Sequence, residues 1–164
     1  LPTDRHSGYA GVLIARADVA RPHTLVGPGG LEVSLVPHDH RGVGQLGIRL
    51  RVPALADATG YFRDVLGWDV SGETVRVGRS ALLLEESVDA PAVVRMPVRG
   101  WTYRTVRIWD CDAETEAAVQ AGASLAQQTI TLGEVARFSM ITDPFGNQLE
   151  LSQRASLTGP LPRN

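Results

Sequence analysis

The sequence predicts an α+β fold in which one βαβββ pattern occurs twice. Each copy opens with a strand whose apolar side chains alternate, continues with a short amphipathic stretch that ends at glycine, and closes with further strand-like stretches. The two opening strands, residues 45–52 and 103–109, align without a gap, so that Arg49 corresponds to Arg107. We interpret this repetition as an internal duplication.

The first copy has a clear division into two faces. In residues 45–52 (QLGIRLRV) the apolar side chains occupy every second position and share one face of the strand. The opposite face carries Gln45, Gly47, Arg49 and Arg51. Residues 55–66 then place apolar side chains at helical spacing, and Gly67 follows as the residue that ends the helix. We expect strands at 68–77 and 81–85.

The second copy follows the same plan. Val106 and Ile108 mark the face of the opening strand that should lie against a helix. The other face carries Tyr103, Thr105 and Arg107. Asp112 is the expected N-cap of the helix and Gly122 its end. Further strands are predicted at 124–131, 136–142 and 148–152.

The organisation predicted for the whole chain has five parts. Residues 1–40 form a hairpin that resembles the tail of a preceding module, because residues 27–35 repeat the turn-then-strand pattern of residues 143–151. The first module covers 44–87, a linker 88–100, the second module 101–153 and a tail 154–164. One hypothesis is that the chain is the C-terminal part of a longer multi-module protein. The alternative is that the hairpin completes a sheet in a dimer.

Composition favours a small-molecule partner. The formal net charge is -2 and no block of like charges occurs, so the chain lacks the basic surface typical of proteins that bind nucleic acid or anionic membranes. No apolar run approaches the roughly 20 residues that span a bilayer. The single cysteine, Cys111, cannot form an internal disulfide, which fits a reducing cytoplasm.

Three stretches carry a family resemblance: residues 61–67 (YFRDVLG), 109–113 (WDCDA) and 143–151 (DPFGNQLEL). In these stretches the chain resembles the vicinal oxygen chelate superfamily, which includes glyoxalases, bleomycin-resistance proteins and extradiol dioxygenases. The resemblance implies paired modules whose curved mixed sheet forms a cup with the helices outside. It also implies a homodimer, since such modules pair within or between chains.

The resemblance also implies where a metal ion would bind. In metal-using members the opening and last strands of each module each supply one ligand, which places candidate positions at Gln45, Leu83, Tyr103 and Glu150. Leucine has no donor atom, and neither opening strand has a histidine. Glu85 could substitute for Leu83 only if the strand register shifts. The expectation is therefore no cofactor, with a divalent ion on Gln45, Glu85 and Glu150 as the alternative.

Glu150 is the strongest candidate catalytic residue, since a carboxylate at the base of a cup can bind a metal or act as a general base. The competing interpretation is a strand glutamate paired with an arginine. Arg49 and Arg107 either clamp an anionic ligand or neutralise Glu85 and Glu150.

Gln45, Tyr103 and Thr105 complete the predicted ligand-binding set as neutral donors and acceptors. Two functions remain open: a metal-independent protein that binds a small polar or anionic organic molecule, and a metal-dependent isomerase, lyase or dioxygenase-like enzyme that uses Glu150 as ligand or base. Leu83 and the missing histidines favour the binding protein.

Overall fold

A computed structural model of the chain describes residues 6–28 and 31–163. The chain divides into two compact units, Leu1–Thr102 and Tyr103–Asn164. Each unit is built on one mixed β-sheet with few helices, which confirms the predicted α+β class.

The first unit contains a seven-stranded sheet of order β2-β3-β1-β4-β7-β6-β5. Its strands are β1 (Tyr9–Ala15), β2 (His23–Val26), β3 (Glu32–Val36), β4 (Leu46–Val52), β5 (Asp69–Ser71), β6 (Thr74–Val77) and β7 (Ser80–Glu86). Strand β4 pairs in parallel with β7, which pairs antiparallel with β6, and β6 with β5. This is the predicted order of a βαβββ module, in which the crossover helix returns the chain beside its opening strand.

The N-terminal segment contains more than a hairpin. Strands β2 and β3 form the antiparallel pair, and β1 lies parallel to β3 on its other side. The arrangement β1-β3-β2 therefore reproduces an opening strand with the last two strands of the module pattern. Strand β1 also pairs antiparallel with β4, which joins the segment to the first module. The predicted repeat of residues 143–151 includes Gly29 and Gly30, which lie outside the described residues.

The helix of the first unit changes its winding halfway. Helix α1 (Leu55–Gly60) runs directly into a π-helical turn, Tyr61–Val65, closed by a hydrogen bond from Leu66 N to Tyr61 O of 3.1 Å. The wider turn buries both Tyr61 and Phe62, and Phe62 stacks on Trp68 with ring centroids 5.6 Å apart. Gly67 follows with a φ of 67°, the left-handed conformation expected of the residue that ends a helix.

The second unit contains a four-stranded sheet of order β8-β11-β10-β9. Its elements are β8 (Tyr103–Ile108), α2 (Cys111–Gln120), β9 (Ser124–Leu132), β10 (Ala136–Thr142), β11 (Gln148–Arg154) and α3 (Ala155–Thr158). Strand β8 pairs in parallel with β11, as β4 does with β7. The two modules therefore share one topology.

The start of α2 differs from the prediction. The N-cap is Asp110, whose Oδ1 accepts a hydrogen bond of 3.0 Å from Ala113 N. Asp112 lies two residues further on, in the first turn of α2, and forms a two-point ion pair with Arg137, with both N···O distances 2.8 Å. The expectation for Asp112 was wrong because Asp110 lies only two residues before it and can also cap the helix, while the partner that Asp112 takes instead, Arg137, is distant in sequence. None of the helices in the described residues is long and apolar enough to cross a membrane.

Candidate functional site

The second unit carries a polar sheet face built by β8 and β11. The strand register places Thr105 beside Glu150, Tyr103 beside Gln148 and Arg107 beside Ser152. Successive side chains of a strand alternate between faces, so all six lie on one side of the sheet. We call this set the Glu150 face. The opposite side is covered by α2, where Cys111 Sγ lies 3.5 Å from Leu151 O and Thr115 Oγ1 2.6 Å from Ser139 Oγ.

Glu150 is the buried acid of this face. It is 9% exposed, yet its carboxylate makes no hydrogen bond or ion pair with any part of the chain that the structure describes. The predicted alternative, a pairing with arginine, is therefore not formed within residues 6–28 and 31–163. Tyr103, Thr105 and Arg107 on the adjacent strand are exposed. The face therefore combines one buried glutamate, which can accept hydrogen bonds, with three exposed polar side chains.

Ser152 is a member of this face that sequence reasoning missed. Its side chain is fully buried, and its Oγ has no hydrogen-bond partner among the described residues. A buried hydroxyl without a partner costs free energy, so such a group calls for an explanation. The signal was present in the alternation, because Ser152 lies two residues beyond Glu150 on the same strand.

The predicted polar face of the first unit is largely occupied by apolar core. Leu13, Val36, Val43, Ala81 and Leu83 form one buried cluster. Gly47 lies within it, since a Cβ built there would come within 2.7 Å of Val43 Cγ2 and 3.2 Å of Leu13 Cβ. Gln45 precedes β4 and is exposed. The cluster therefore fills the middle of the face on which a cavity was expected.

Arg49 and Glu85 belong to an ion-pair network beside this cluster. Arg49 Nη2 lies 2.9 Å from Glu85 Oε2, Arg49 Nη1 also pairs with Glu32, and Arg41 Nη1 lies 3.0 Å from Glu85 Oε1. Burial opposes ionisation of Glu85, but the hydrogen bonds from both arginines outweigh it and hold the pKa of Glu85 below its ordinary value. Arg49 was expected either to clamp an anionic ligand or to neutralise Glu85. In the structure it pairs with Glu85.

The side chains of the first unit do not fit the divalent-metal set. Leu83 is fully buried and offers no donor, while the Glu85 carboxylate is already held by two guanidinium groups. In the described ranges no three His, Cys, Asp or Glu side chains form a group that could hold a metal ion. We therefore derive no chemical step through a metal.

Cys111 is buried against the sheet of the second unit. It is 0% exposed, and burial raises the pKa of its thiol above the ordinary value. A thiol in this state is a poor nucleophile. The role of Cys111 is therefore packing between α2 and β11.

The turn before β11 explains the most distinctive stretch of the sequence. Asp143 is buried, and its Oδ1 accepts hydrogen bonds from Phe145 N at 2.9 Å and Asn147 N at 2.8 Å. Its Oδ2 accepts a third from Asn147 Nδ2 at 2.8 Å. Gly146 adopts a φ of 82°, which a side chain would disfavour. These hydrogen bonds therefore fix the turn that precedes β11, the strand that carries Glu150.

Replacing Asp143 with alanine should lower the free energy of unfolding by about 2 kcal/mol, because two buried backbone N–H groups lose their acceptor. Asp143→Asn keeps a hydrogen-bond acceptor, so it should lower the free energy of unfolding by less than half as much as Asp143→Ala. Burial raises the pKa of Asp143 above its ordinary value of 3.8. The contribution of Asp143 to the free energy of unfolding is therefore lost as pH rises from 3.8 through the raised pKa. Urea unfolding measures both variants, and equal losses would contradict the assigned hydrogen bonds.

Comparisons with known proteins agree with this architecture. The family model for the Glyoxalase/Bleomycin resistance protein/Dioxygenase superfamily matches residues 42–151. The structure of TioX from Micromonospora sp. ML1 superimposes with a TM-score of 0.54 at 15% identity, covering 66% of this chain and 96% of TioX.

Two further structures have the same fold. TnmS3, an antibiotic binding protein from Streptomyces sp. CB03234, has a TM-score of 0.51 at 19% identity over 65% of this chain and 93% of its own. A glyoxalase/bleomycin resistance protein/dioxygenase from Alicyclobacillus acidocaldarius has a TM-score of 0.53 at 18% identity over 66% and 89%. No protein of curated function matches the sequence. The family model spans more than half of the sequence, and the chain therefore belongs to the Glyoxalase/Bleomycin resistance protein/Dioxygenase superfamily.

Proposed function

We propose that this chain binds a small polar organic molecule at the Glu150 face without a metal ion. The observation that carries the proposal is Glu150, a residue only 9% exposed whose carboxylate has no partner in the described part of the chain. Both carboxylate oxygens are therefore available to accept a hydrogen bond from a bound ligand.

The neighbouring side chains define the chemistry of the ligand. Ser152 Oγ, on the same face, is a buried polar atom without a partner among the described residues. Arg107, on the same face, is exposed and has only donors to offer. A molecule with a hydrogen-bond donor facing Glu150 and an anionic or carbonyl oxygen facing Arg107 suits this arrangement. Tyr103 and Thr105 supply further polar contacts at its rim.

The fold comparison supports a small molecule as the ligand class. TnmS3 is described as an antibiotic binding protein, and its fold is the one found here. The first unit supports a metal-free site, because Glu85 is bound by two arginines and Leu83 cannot act as a ligand. Both arguments favour a binding protein over a metal-dependent enzyme.

Glu150→Gln separates binding from stability. We expect the variant to bind its ligand at least tenfold more weakly, because a charge-assisted hydrogen bond is replaced by a neutral one. Without ligand, the same variant should have a free energy of unfolding within about 0.5 kcal/mol of wild type, because the Glu150 carboxylate has no partner to lose among the described residues. Titration calorimetry with bleomycin and a set of polar aromatic antibiotics measures the first effect, and urea unfolding the second. Glu134→Gln, at an exposed turn position, is the matched control.

Metal analysis tests the metal-free part of the proposal. Protein purified without chelator and without nickel affinity should contain less than about 0.1 equivalent of any divalent metal by mass spectrometry, because Glu150 alone cannot complete a binding site. Stoichiometric metal that disappears in Glu150→Ala would overturn the proposal in favour of the metal-dependent enzyme. If no antibiotic in the set binds with a Kd below about 1 mM, the antibiotic class is excluded.

A further inference from the structure

A pocket within the first unit is lined by none of the residues of the Glu150 face. It has a volume of about 270 Å³, slightly below the usual range for small-molecule sites, so its ligand would be small. Residues 6–10 form one wall, and residues 89–91 with 99–101 form another. Arg51 of β4 completes the lining. None of the expectations from sequence pointed to this pocket.

Hydrogen bonds that involve the backbone hold the walls of this pocket together. His6 forms a parallel β-bridge with Arg99, and the Ser7 hydroxyl donates a hydrogen bond to the backbone carbonyl of Trp101. Arg51 N donates to Gly8 O at 2.8 Å, which ties the same segment to β4. The pocket is therefore formed before any ligand binds, and a preformed site lowers the entropic cost of binding.

The charge in the pocket favours an anion. Arg51 and Arg99 both line it, and neither guanidinium makes a hydrogen bond or ion pair with residues of the described ranges. Of the two acidic lining residues, Glu32 is already paired with Arg49. Among the lining residues that the structure describes, Asp89 is then the one carboxylate left to oppose two guanidinium groups. Guanidinium is also the group best suited to a planar carboxylate, because it can donate two parallel hydrogen bonds.

The remaining lining is aromatic and aliphatic. Tyr9 is 6% exposed and Ala90 8% exposed, while Leu31 and Trp101 are half-buried. Flat apolar surfaces of this kind pack against rings, and arginine stacks on the same rings. We propose that this pocket binds a small planar aromatic carboxylate, with Arg51 and Arg99 on the carboxylate and Tyr9 and Trp101 against the ring. The site is independent of the function proposed for Glu150.

The test is a titration with 2-naphthoate followed by two-dimensional ¹⁵N–¹H NMR. Saturable shifts are expected at the backbone amides of Tyr9, Arg51 and Trp101, with a Kd below about 1 mM. The neutral analogue 2-naphthamide should bind at least tenfold more weakly, because it lacks the charge that the guanidinium groups recognise. The spectra also report directly whether each variant is folded.

Variants separate a specific site from general charge attraction. Arg51→Gln and Arg99→Gln should each weaken 2-naphthoate binding at least tenfold. Arg95→Gln should leave it unchanged, since Arg95 is exposed in the same segment but does not line the pocket. Glu150→Gln should also leave it unchanged, which distinguishes this site from the Glu150 face.

Four results would overturn the proposal. They are the absence of saturable binding up to about 10 mM, equal affinity for 2-naphthamide, an equal loss in Arg95→Gln, and shifts confined to Thr105 and Glu150. The last result would assign the carboxylate to the Glu150 face instead.

Discussion

Leu83→Ala is expected to lower the free energy of unfolding by about 3–5 kcal/mol. Leu83 is 0% exposed and packs in the cluster with Leu13, Val36 and Val43. Removing its side chain loses apolar burial and leaves a cavity that the flanking strands cannot close, because β4 and β6 are hydrogen-bonded to β7 on either side. Urea unfolding followed by circular dichroism measures the change.

The control for this experiment is Leu132→Ala, at the end of β9, where the leucine is 61% exposed. That variant should change stability by no more than about 0.5 kcal/mol. A loss below about 1 kcal/mol in Leu83→Ala would mean that this face of β7 is open to solvent. The position would then again be available to line a cavity.

Arg49→Gln is expected to lower the free energy of unfolding by about 3 kcal/mol. Arg49 is the shared partner of Glu32 and Glu85, and all three side chains are less than a third exposed, at 22%, 29% and 20%. The variant leaves Glu32 without its partner and Glu85 with Arg41 alone. Removing one member of a partly buried network costs more than the pair contributes, because the remaining charge stays desolvated.

The effect of Arg49→Gln should depend on pH. The folded-state pKa of Glu85 lies below its ordinary value of 4.5, so its stabilising contribution is complete above that value and is lost as pH falls through the folded pKa. The difference in stability between wild type and variant should therefore be constant above about pH 4.5 and should narrow as pH falls below that value. Arg63→Gln, which breaks an exposed pair with Asp64, should show no measurable loss. A difference that stays constant on acidification would contradict the assigned role of Glu85.

The local pattern of the sequence was sufficient for the strands and their faces. Alternation assigned Tyr103, Thr105 and Arg107 to one side of β8, and the register with β11 places Glu150 on that side. It succeeded because the side-chain period of a strand depends on backbone geometry alone. The function of those residues stays a prediction.

Other features needed contacts between residues far apart in the chain. Alternation assigned Gly47 to a polar face and the family resemblance placed Leu83 at a cavity-facing position, but neither could show that Leu13 and Val43 from neighbouring segments fill that face. The pairing of Arg49 with Glu32 likewise depends on β1 lying between β3 and β4. The pocket lined by Arg51 and Arg99 arises only where the start of the chain meets the segment after β7.

By itself, the sequence determined the fold class, the repeated module and the face to which each strand residue belongs, because these follow from local periodicity and turn chemistry. The tertiary structure decided which polar side chains are neutralised and which remain without a partner. Glu85 meets two arginines, whereas Glu150 meets none in the described residues. The physical reason is that ion pairs and desolvation act through space, so partners are set by strand order and packing rather than by position along the chain.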